Sequence, residues 1–328
     1  MSKEPGSIID RIPAGARILL IRLRSMGDCV LTTPAVGILA RSRPDVKIGV
    51  VVEPRFAAIF EDNPAIAAIL QPSWIQVARW HPALCLNFHG GRRSMALTLA
   101  SRAAIRAGFG HHRGSGLYHI RIPRAQEILG VERPVHTAEH LASAMFYLGC
   151  PHQEIPRAQL FVTPGAQRRP YAVIHPTAAA PYKTWHAHGF AAVAKHVREG
   201  HGLDPVFIGS SGDDMAPFRD FECVAGAPLG DVKSLLSRAS LFVGNDSGPA
   251  HIAAAFNVPM VVLFGRVEHQ ITWAPWRATA ARTLGDAGGI PAIATGQVLS
   301  AIDDVQHSRE RGDHQPFLPS PHATCRPI

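Results

Sequence analysis

The sequence predicts an α/β fold made of parallel sheets in two successive blocks, and three observations carry that prediction. Short apolar runs alternate with helical stretches along most of the 328 residues, which is the pattern of a parallel sheet covered on both faces. The alternation is interrupted by a proline-rich connection, "CPHQEIPRAQLFVTPGAQRRP" (150–170), and then starts again. Several apolar runs end in loops that hold acids, hydroxyls and glycines, and the carboxyl ends of parallel strands are where open sheets bind ligands.

In the first block, "RILLIRL" (17–23) reads as a buried strand, followed by a helix from about Gly27-Asp28 to Arg41. "KIGVVVE" (47–53), "AIAAIL" (65–70), "ALCLNF" (83–88) and "IRAGF" (105–109) read as further strands, with helices over 92–102 and 137–148. The second block opens with the strand "YAVIHP" (171–176), a helix over 187–199 and the strand "DPVFIGS" (204–210). A helix is expected after Gly212-Asp213-Asp214, then the strand "ECVAG" and a helix over 230–240. "LFVGN", the helix "GPAHIAAAF" and a last strand, "PMVVLFG", complete the block. The expected boundaries are 1–160 and 161–310, with a polar, proline-rich flexible tail over 311–328.

Composition narrows the function. Apolar residues make up 46% of the chain, enough for a sizeable core. The net charge of +8 suits an anionic partner. An aromatic-plus-basic RNA motif and zinc-finger spacing are both missing, so nucleic acid is not expected. Cysteines at 29, 85, 150, 223 and 325 include no CxxC and suggest reduced thiols in the cytoplasm. No window approaches the ~18 apolar residues of a membrane span, which leaves peripheral attachment open. His136 and His140, and the pair His111-His112, lack metal-ligand spacing, so no metal site is expected.

Four strand-end loops hold candidate chemistry. Asp28 after the first strand is either a helix cap or a general base facing a cleft. Thr32 and Thr33, one turn on, are either hydrogen-bond donors or helix-surface residues. In "HPTAAAPYKTW" (175–185), Thr177 offers a hydroxyl and Lys183 a point charge for a phosphate, or the lysine is an ordinary surface residue. In "FIGSSGDDMAPF", Asp213 or, by preference, Asp214 could hold ribose hydroxyls or cap the next helix. In "NDSGPAH", Ser247 and Gly248 precede a helix whose free amides can receive a phosphate. His251 lies on that helix's first turn, either packed or chemically active.

These four loops, in this order, resemble glycosyltransferase family 9, the ADP-heptose:lipopolysaccharide heptosyltransferases. The resemblance rests on "RILLIRLRSMGDCVLTTPAV", "HPTAAAPYKTW", "GSSGDD" and "NDSGPAHIAAAFNVPMVVLFG", and covers roughly residues 16–305. It implies a GT-B fold, two Rossmann-like domains facing an interdomain cleft, with the acceptor on the N-terminal and the nucleotide sugar on the C-terminal domain. It implies an inverting, metal-independent transfer of a heptose from ADP-heptose, with no cofactor. Carried over by motif, Asp28 would deprotonate the acceptor and Thr177 and Lys183 would hold the diphosphate. Asp214 would hold the ribose, Asp246 the sugar, Ser247 and Gly248 the phosphate, and His251 would assist the leaving group. Arg92, Arg93 and Arg113, with His111 and His112 beside them, could meet an anionic, lipid-linked saccharide acceptor at the cytoplasmic face of the inner membrane. The competing readings are a nucleotide-sugar epimerase or hydrolase on the same architecture, and a degenerate nucleotide-sugar binding protein.

Overall fold

The computed structural model describes residues 7–163 and 168–310. The chain divides into two compact units, Met1–Phe161 and Val162–Ile328. The tail expected over 311–328 lies outside the described residues.

The first unit runs β1 (Arg17–Ile21), α1 (Met26–Ser42), β2 (Lys47–Val51), β3 (Ile66–Leu70), α2 (Trp74–Trp80), β4 (Leu84–Asn87), α3 (Arg92–Ala100), β5 (Ile105–Phe109), β6 (Ile120–Ile122), α4 (Ala125–Leu129) and α5 (Thr137–Tyr147). Its six strands pair in parallel in the order β3-β2-β1-β4-β5-β6. The second unit runs β7 (Tyr171–His175), α6 (Ala187–His201), β8 (Asp204–Gly209), β9 (Glu222–Ala225), α7 (Leu229–Ser237), β10 (Leu241–Asn245), α8 (Gly248–Ala255), β11 (Met260–Phe264), α9 (His269–Trp273), β12 (Ala281–Gly285) and α10 (Thr295–Glu310). It is also wholly parallel, in the order β12-β11-β10-β7-β8-β9.

Counted within its own unit, each sheet has the order 3-2-1-4-5-6 or its mirror listing, the doubly wound arrangement. Strand order reverses between two central strands, so the loops after β1 and β4, and after β7 and β10, border a topological switch point. The central strands explain the order. β4, β7, β10 and β11 are buried at every residue, as strands covered on both faces must be. In the second unit Trp185, Phe190, Val193, Val197 and Phe207 form the core with Val298, Ile302 and Val305 of α10. Leu19, Ile21, Val77, Cys85 and Leu97 form a core in the first.

Three expectations need correction. β11 is not the last strand, because β12 adds at the sheet edge, where its half-exposed "ARTLG" lacks the apolar run of a central strand. The helix expected after Gly212-Asp214 is a single 3-10 turn, Ala216–Phe218, with Pro217 inside it. α10, which the apolar pattern does not announce, packs on the core through residues spaced four and three apart. Cys29, Cys85, Cys150 and Cys223 are free thiols. No described helix is long and apolar enough to cross a membrane.

Trp185 lies 2% exposed in the second core and donates Nε1–H to the Ile293 carbonyl at 3.0 Å. Trp185→Ala opens a cavity and orphans that carbonyl, and is expected to lower the stability of the second unit by about 3–5 kcal/mol. Urea titration read by far-ultraviolet circular dichroism measures it; a loss under about 1 kcal/mol would contradict this role of the indole in the core.

Candidate active site

At the first switch point the chain leaves β1 through Arg22–Ser25 and enters α1. Arg22 is buried. Its Nη1 donates to the Phe88 carbonyl at 2.8 Å, and its Nη2 meets Asp28 Oδ1 at 2.5 Å. One guanidinium therefore joins the loops after β1 and β4. Asp28 Oδ2 accepts from Ser25 N–H at 3.3 Å and from Ser25 Oγ at 3.2 Å. Asp28 is thus a cap, as the local pattern allows, and it still keeps 21% of its side chain exposed. Thr32 and Thr33 are settled differently. Both are buried and bond back to Asp28 and Val30 carbonyls, so neither offers a donor to a ligand.

The loop after β4 is built by Asn87. This buried side chain donates to Ser94 Oγ and Thr98 Oγ1, both at 3.1 Å, and accepts from His89 and Gly90 amides at 2.9 and 3.1 Å. Gly90 has φ +74°, and a Cβ there would run into the His112 ring, so only glycine fits. His111 and His112 lie against Phe109, and Phe109 stacks on His140 at 4.1 Å. The His112 and His140 rings are half-buried in this cluster, and His111 is exposed at its edge. Burial, then the neighbouring His111, pushes His140 down to about 4. Arg92 and Arg93 open α3 and Arg113 follows His112, and all three are exposed; Arg93 also lies 3.7 Å from Glu53.

At the second switch point Asn245, the buried last residue of β10, holds the loop after β7. Its Nδ2 donates to the Pro176 carbonyl at 2.9 Å and its Oδ1 accepts from Trp185 N–H at 3.2 Å. His175 ends β7 and faces two loops. Its Nδ1 meets Ser247 Oγ at 2.9 Å and its Nε2 lies 3.4 Å from Thr177 Oγ1. Thr177 gives its proton to Asp213 Oδ2 at 2.8 Å, which also accepts from Ser210 N–H at 2.6 Å. Burial pushes the His175 imidazole down to about 4, so at neutral pH it carries one proton. Because Thr177 donates to Asp213, the network assigns that proton to Nε2 and leaves Nδ1 to accept from Ser247. A four-residue chain, Ser247–His175–Thr177–Asp213, thus ties three strand ends together.

Lys183 Nζ meets Asp246 Oδ2 at 2.8 Å, the acid 8% and the lysine 24% exposed. Ser247 is the N-cap of α8 and Pro249 lies in its first turn, so the amides of the following turn open toward the same loop. Gly265, after β11, permits the close approach of the lysine loop, since a Cβ there would clash with the Tyr182 carbonyl oxygen. His251 is buried and sits edge-on to Trp273 at 6.3 Å. The structure therefore brings Thr177, Lys183, Asp246, Ser247, Gly248 and His251 to one switch point. Asp214 stands apart. It accepts from the Ala216 amide at 3.0 Å in an exposed turn, while Asp213 is the acid drawn into the network. Sequence reasoning missed His175, Arg22 and Asn245 as site residues; the available signal was a polar side chain at or next to the end of an otherwise apolar strand.

Residues 83–293 match the family described as glycosyltransferase family 9 (heptosyltransferase). Lipopolysaccharide heptosyltransferase 3 of Escherichia coli is 27% identical over 298 residues, covering 77% of this chain and 84% of that protein. A family 9 glycosyl transferase from Veillonella parvula superposes with a TM-score of 0.78 at 21% identity, covering 89% of this chain and 97% of its own. The E. coli ADP-heptose lipopolysaccharide heptosyltransferase II superposes at 0.74 and 20% identity, covering 90% and 99%. Both solved structures share the two-sheet fold.

The buried histidines give stability a pH dependence. His175 is held down to about 4 from 6.5, so below 6.5 the unfolded chain binds its proton first. Its contribution is complete above 6.5 and falls as pH drops toward 4, a loss of about 2 kcal/mol between pH 7 and pH 5. His175→Asn should flatten the pH 5–7 slope of denaturant stability for the second unit by that amount; an unchanged slope would place the imidazole in water.

Proposed function

The chain belongs to glycosyltransferase family 9, and we propose that it transfers a heptose from ADP-heptose to a lipopolysaccharide-core, lipid-linked acceptor, with inversion and without a metal in the transfer step. The observation that carries this reading is the ion pair of Lys183 and Asp246 at 2.8 Å beside the α8 N-terminus, at the switch point of the second sheet. A sugar diphosphate needs positive charge at the phosphates and a hydrogen-bond acceptor at the sugar, and this corner holds both. The names of the relatives, lipopolysaccharide heptosyltransferase 3 and ADP-heptose lipopolysaccharide heptosyltransferase II, support the same donor and acceptor class.

The proposed roles are those that the family resemblance implies, and the local geometry supports several of them. Asp28, oriented by Arg22 and Ser25, accepts the proton of the acceptor hydroxyl. The acceptor oxygen then attacks the anomeric carbon as the bond to the diphosphate breaks, and ADP leaves with the electron pair. One displacement from the face opposite the leaving group inverts the centre. Lys183 has three donors, so it can keep Asp246 and add a phosphate oxygen. The α8 amides at Gly248 and beyond take another. Ser247 directs its proton to His175, so its part is to fix the turn. Asp246 addresses the sugar, His251 stands on the leaving-group side, and Asp214 is open to the ribose.

Charge placement supports the acceptor class. Met1–Phe161 holds 19 Lys and Arg against 11 Asp and Glu, while the rest of the chain holds 14 of each. The whole excess of +8 therefore lies in the unit that carries Asp28. Arg92, Arg93 and Arg113 belong to that excess and would draw an anionic acceptor at the cytoplasmic face of the inner membrane.

Asp28→Asn keeps the shape and removes the base. It is expected to lower kcat by about 10²–10⁴-fold, the range of general-base catalysis, while the Kd for ADP-heptose stays within about twofold. Lys183→Ala should weaken that Kd by at least roughly tenfold. Radiolabelled transfer and calorimetry read the two effects. Full turnover in Asp28→Asn, conversion of the donor with no acceptor present, or loss of transfer in EDTA would each overturn the corresponding part of the mechanism.

A further inference from the structure

The second unit holds a cluster of chemistry-bearing side chains that the transfer reaction does not use. His196 lies on α6 and His201 is its last residue, while Asp303 lies on α10. His196 Nε2 and His201 Nε2 converge on one oxygen, Asp303 Oδ1, at 2.7 and 2.8 Å. The two rings are 5.3 Å apart, edge to face. All three donor atoms lie within 4.8 Å of one another. The side chains are 26%, 17% and 41% exposed, so the cluster is held by its helices and still open to solvent.

We propose that His196, His201 and Asp303 form a binding site for a divalent first-row transition ion, of which zinc is the representative, clipping α10 to α6. Two imidazoles and one carboxylate are the donor set that transition ions favour, whereas magnesium and calcium favour oxygen donors alone. Zinc bonds nitrogen and oxygen at about 2.0–2.2 Å, which places neighbouring ligands of a tetrahedral site roughly 3.4 Å apart. The present nitrogen–oxygen separations fall short of that by roughly 0.6 Å, a gap that partly exposed side chains close by small rotations. Solvent supplies the remaining position. Each imidazole binds through a deprotonated Nε2 and keeps one proton on Nδ1, so a neutral ring shifts its proton from Nε2 to Nδ1 and a doubly protonated ring gives its Nε2 proton to solvent. The histidines lie 107 and 102 residues from Asp303 along the chain, which is why no short-range spacing announces the site. Because α10 contributes Val298, Ile302 and Val305 to the core, an ion here would hold the last described helix in place.

The test uses the full chain, free of any affinity tag, titrated with Zn²⁺ in a non-chelating buffer. Asp303→Asn retains an amide oxygen that can accept both imidazole hydrogen bonds, and it removes the anionic metal ligand. His201→Gln removes one nitrogen ligand independently. The wild type should bind one equivalent of Zn²⁺ that is weakened at least tenfold in both variants. Zn²⁺ should raise the wild-type Tm by about 2–4 °C at saturation and leave both variants unmoved, and Mg²⁺ should have no effect. The stacked pair His186 and His188, with ring centroids 3.7 Å apart, is the competing zinc ligand, and His188→Gln should keep the equivalent. Equal Zn²⁺ stoichiometry and affinity in wild type and Asp303→Asn, or loss of the equivalent in His188→Gln alone, would overturn the proposal. Asp303→Asn without metal should melt within about 2 °C of wild type; if it does not, His201→Gln carries the decision.

Discussion

Everything in this molecule's chemistry depends on a constraint of parallel sheets: strands buried on both faces have no room for polar side chains except at their ends. In both units the strand order reverses beside the first strand, so the loops after the first and fourth strands diverge and leave a corner. Arg22 spans that corner in the first unit, reaching from Asp28 to the Phe88 carbonyl. Asn245 spans it in the second, binding the Pro176 carbonyl and the Trp185 amide. Each is a buried polar group whose hydrogen bonds are made across the corner, and removal of one would strand its partners in a dry interior. The groups proposed to act in catalysis are therefore held by the same bonds that join the strand-end loops.

The two corners are chemically unlike. The first pairs a carboxylate with a guanidinium within a unit that carries the chain's entire positive excess. The second sets a lysine, an acid and a helix N-terminus around a neutral imidazole, in a unit with balanced charge. The proposed base and anionic acceptor suit the first, and the proposed diphosphate suits the second. His175 matters here because burial keeps it neutral. In the proposed reaction a charged imidazole beside Ser247 would compete with Lys183 for the phosphates and would spread positive charge away from the leaving oxygen.

Much of this was legible in the sequence, and the parts that were not have physical reasons. The central strands announced themselves because double-sided burial demands continuous apolar runs, as in "LFVGN" and "YAVIH". β12 did not, because an edge strand with one exposed face reads as "ARTLG". α10 was hidden by its polar composition, although Val298, Ile302 and Val305 carry the helical spacing. Asp28, Lys183, Asp246 and Ser247 were visible as polar breaks at strand ends. His175 and Arg22 were visible too, but only as a final residue and a break in apolar runs. Their partners, Ser247 at 72 residues and Phe88 at 66, lie too far along the chain for any local pattern to join them. Asp213 and Asp214 are adjacent and chemically identical, and only the fold decides that Asp213 turns inward to Thr177.

The Lys183–Asp246 pair also explains why the acid is tolerated at 8% exposure. A lone buried carboxylate would be expensive, and a lone lysine at the same corner would attract any anion. Paired, each lowers the other's cost, and the site stays close to neutral until a ligand arrives with charge of its own. The proposed diphosphate would bring that charge to the lysine's unused donors and to the α8 amides without breaking the pair. A neutral sugar alone brings none. Under the proposed function the corner would therefore favour a phosphorylated ligand over a neutral sugar, with the lysine and the acid already held at 2.8 Å.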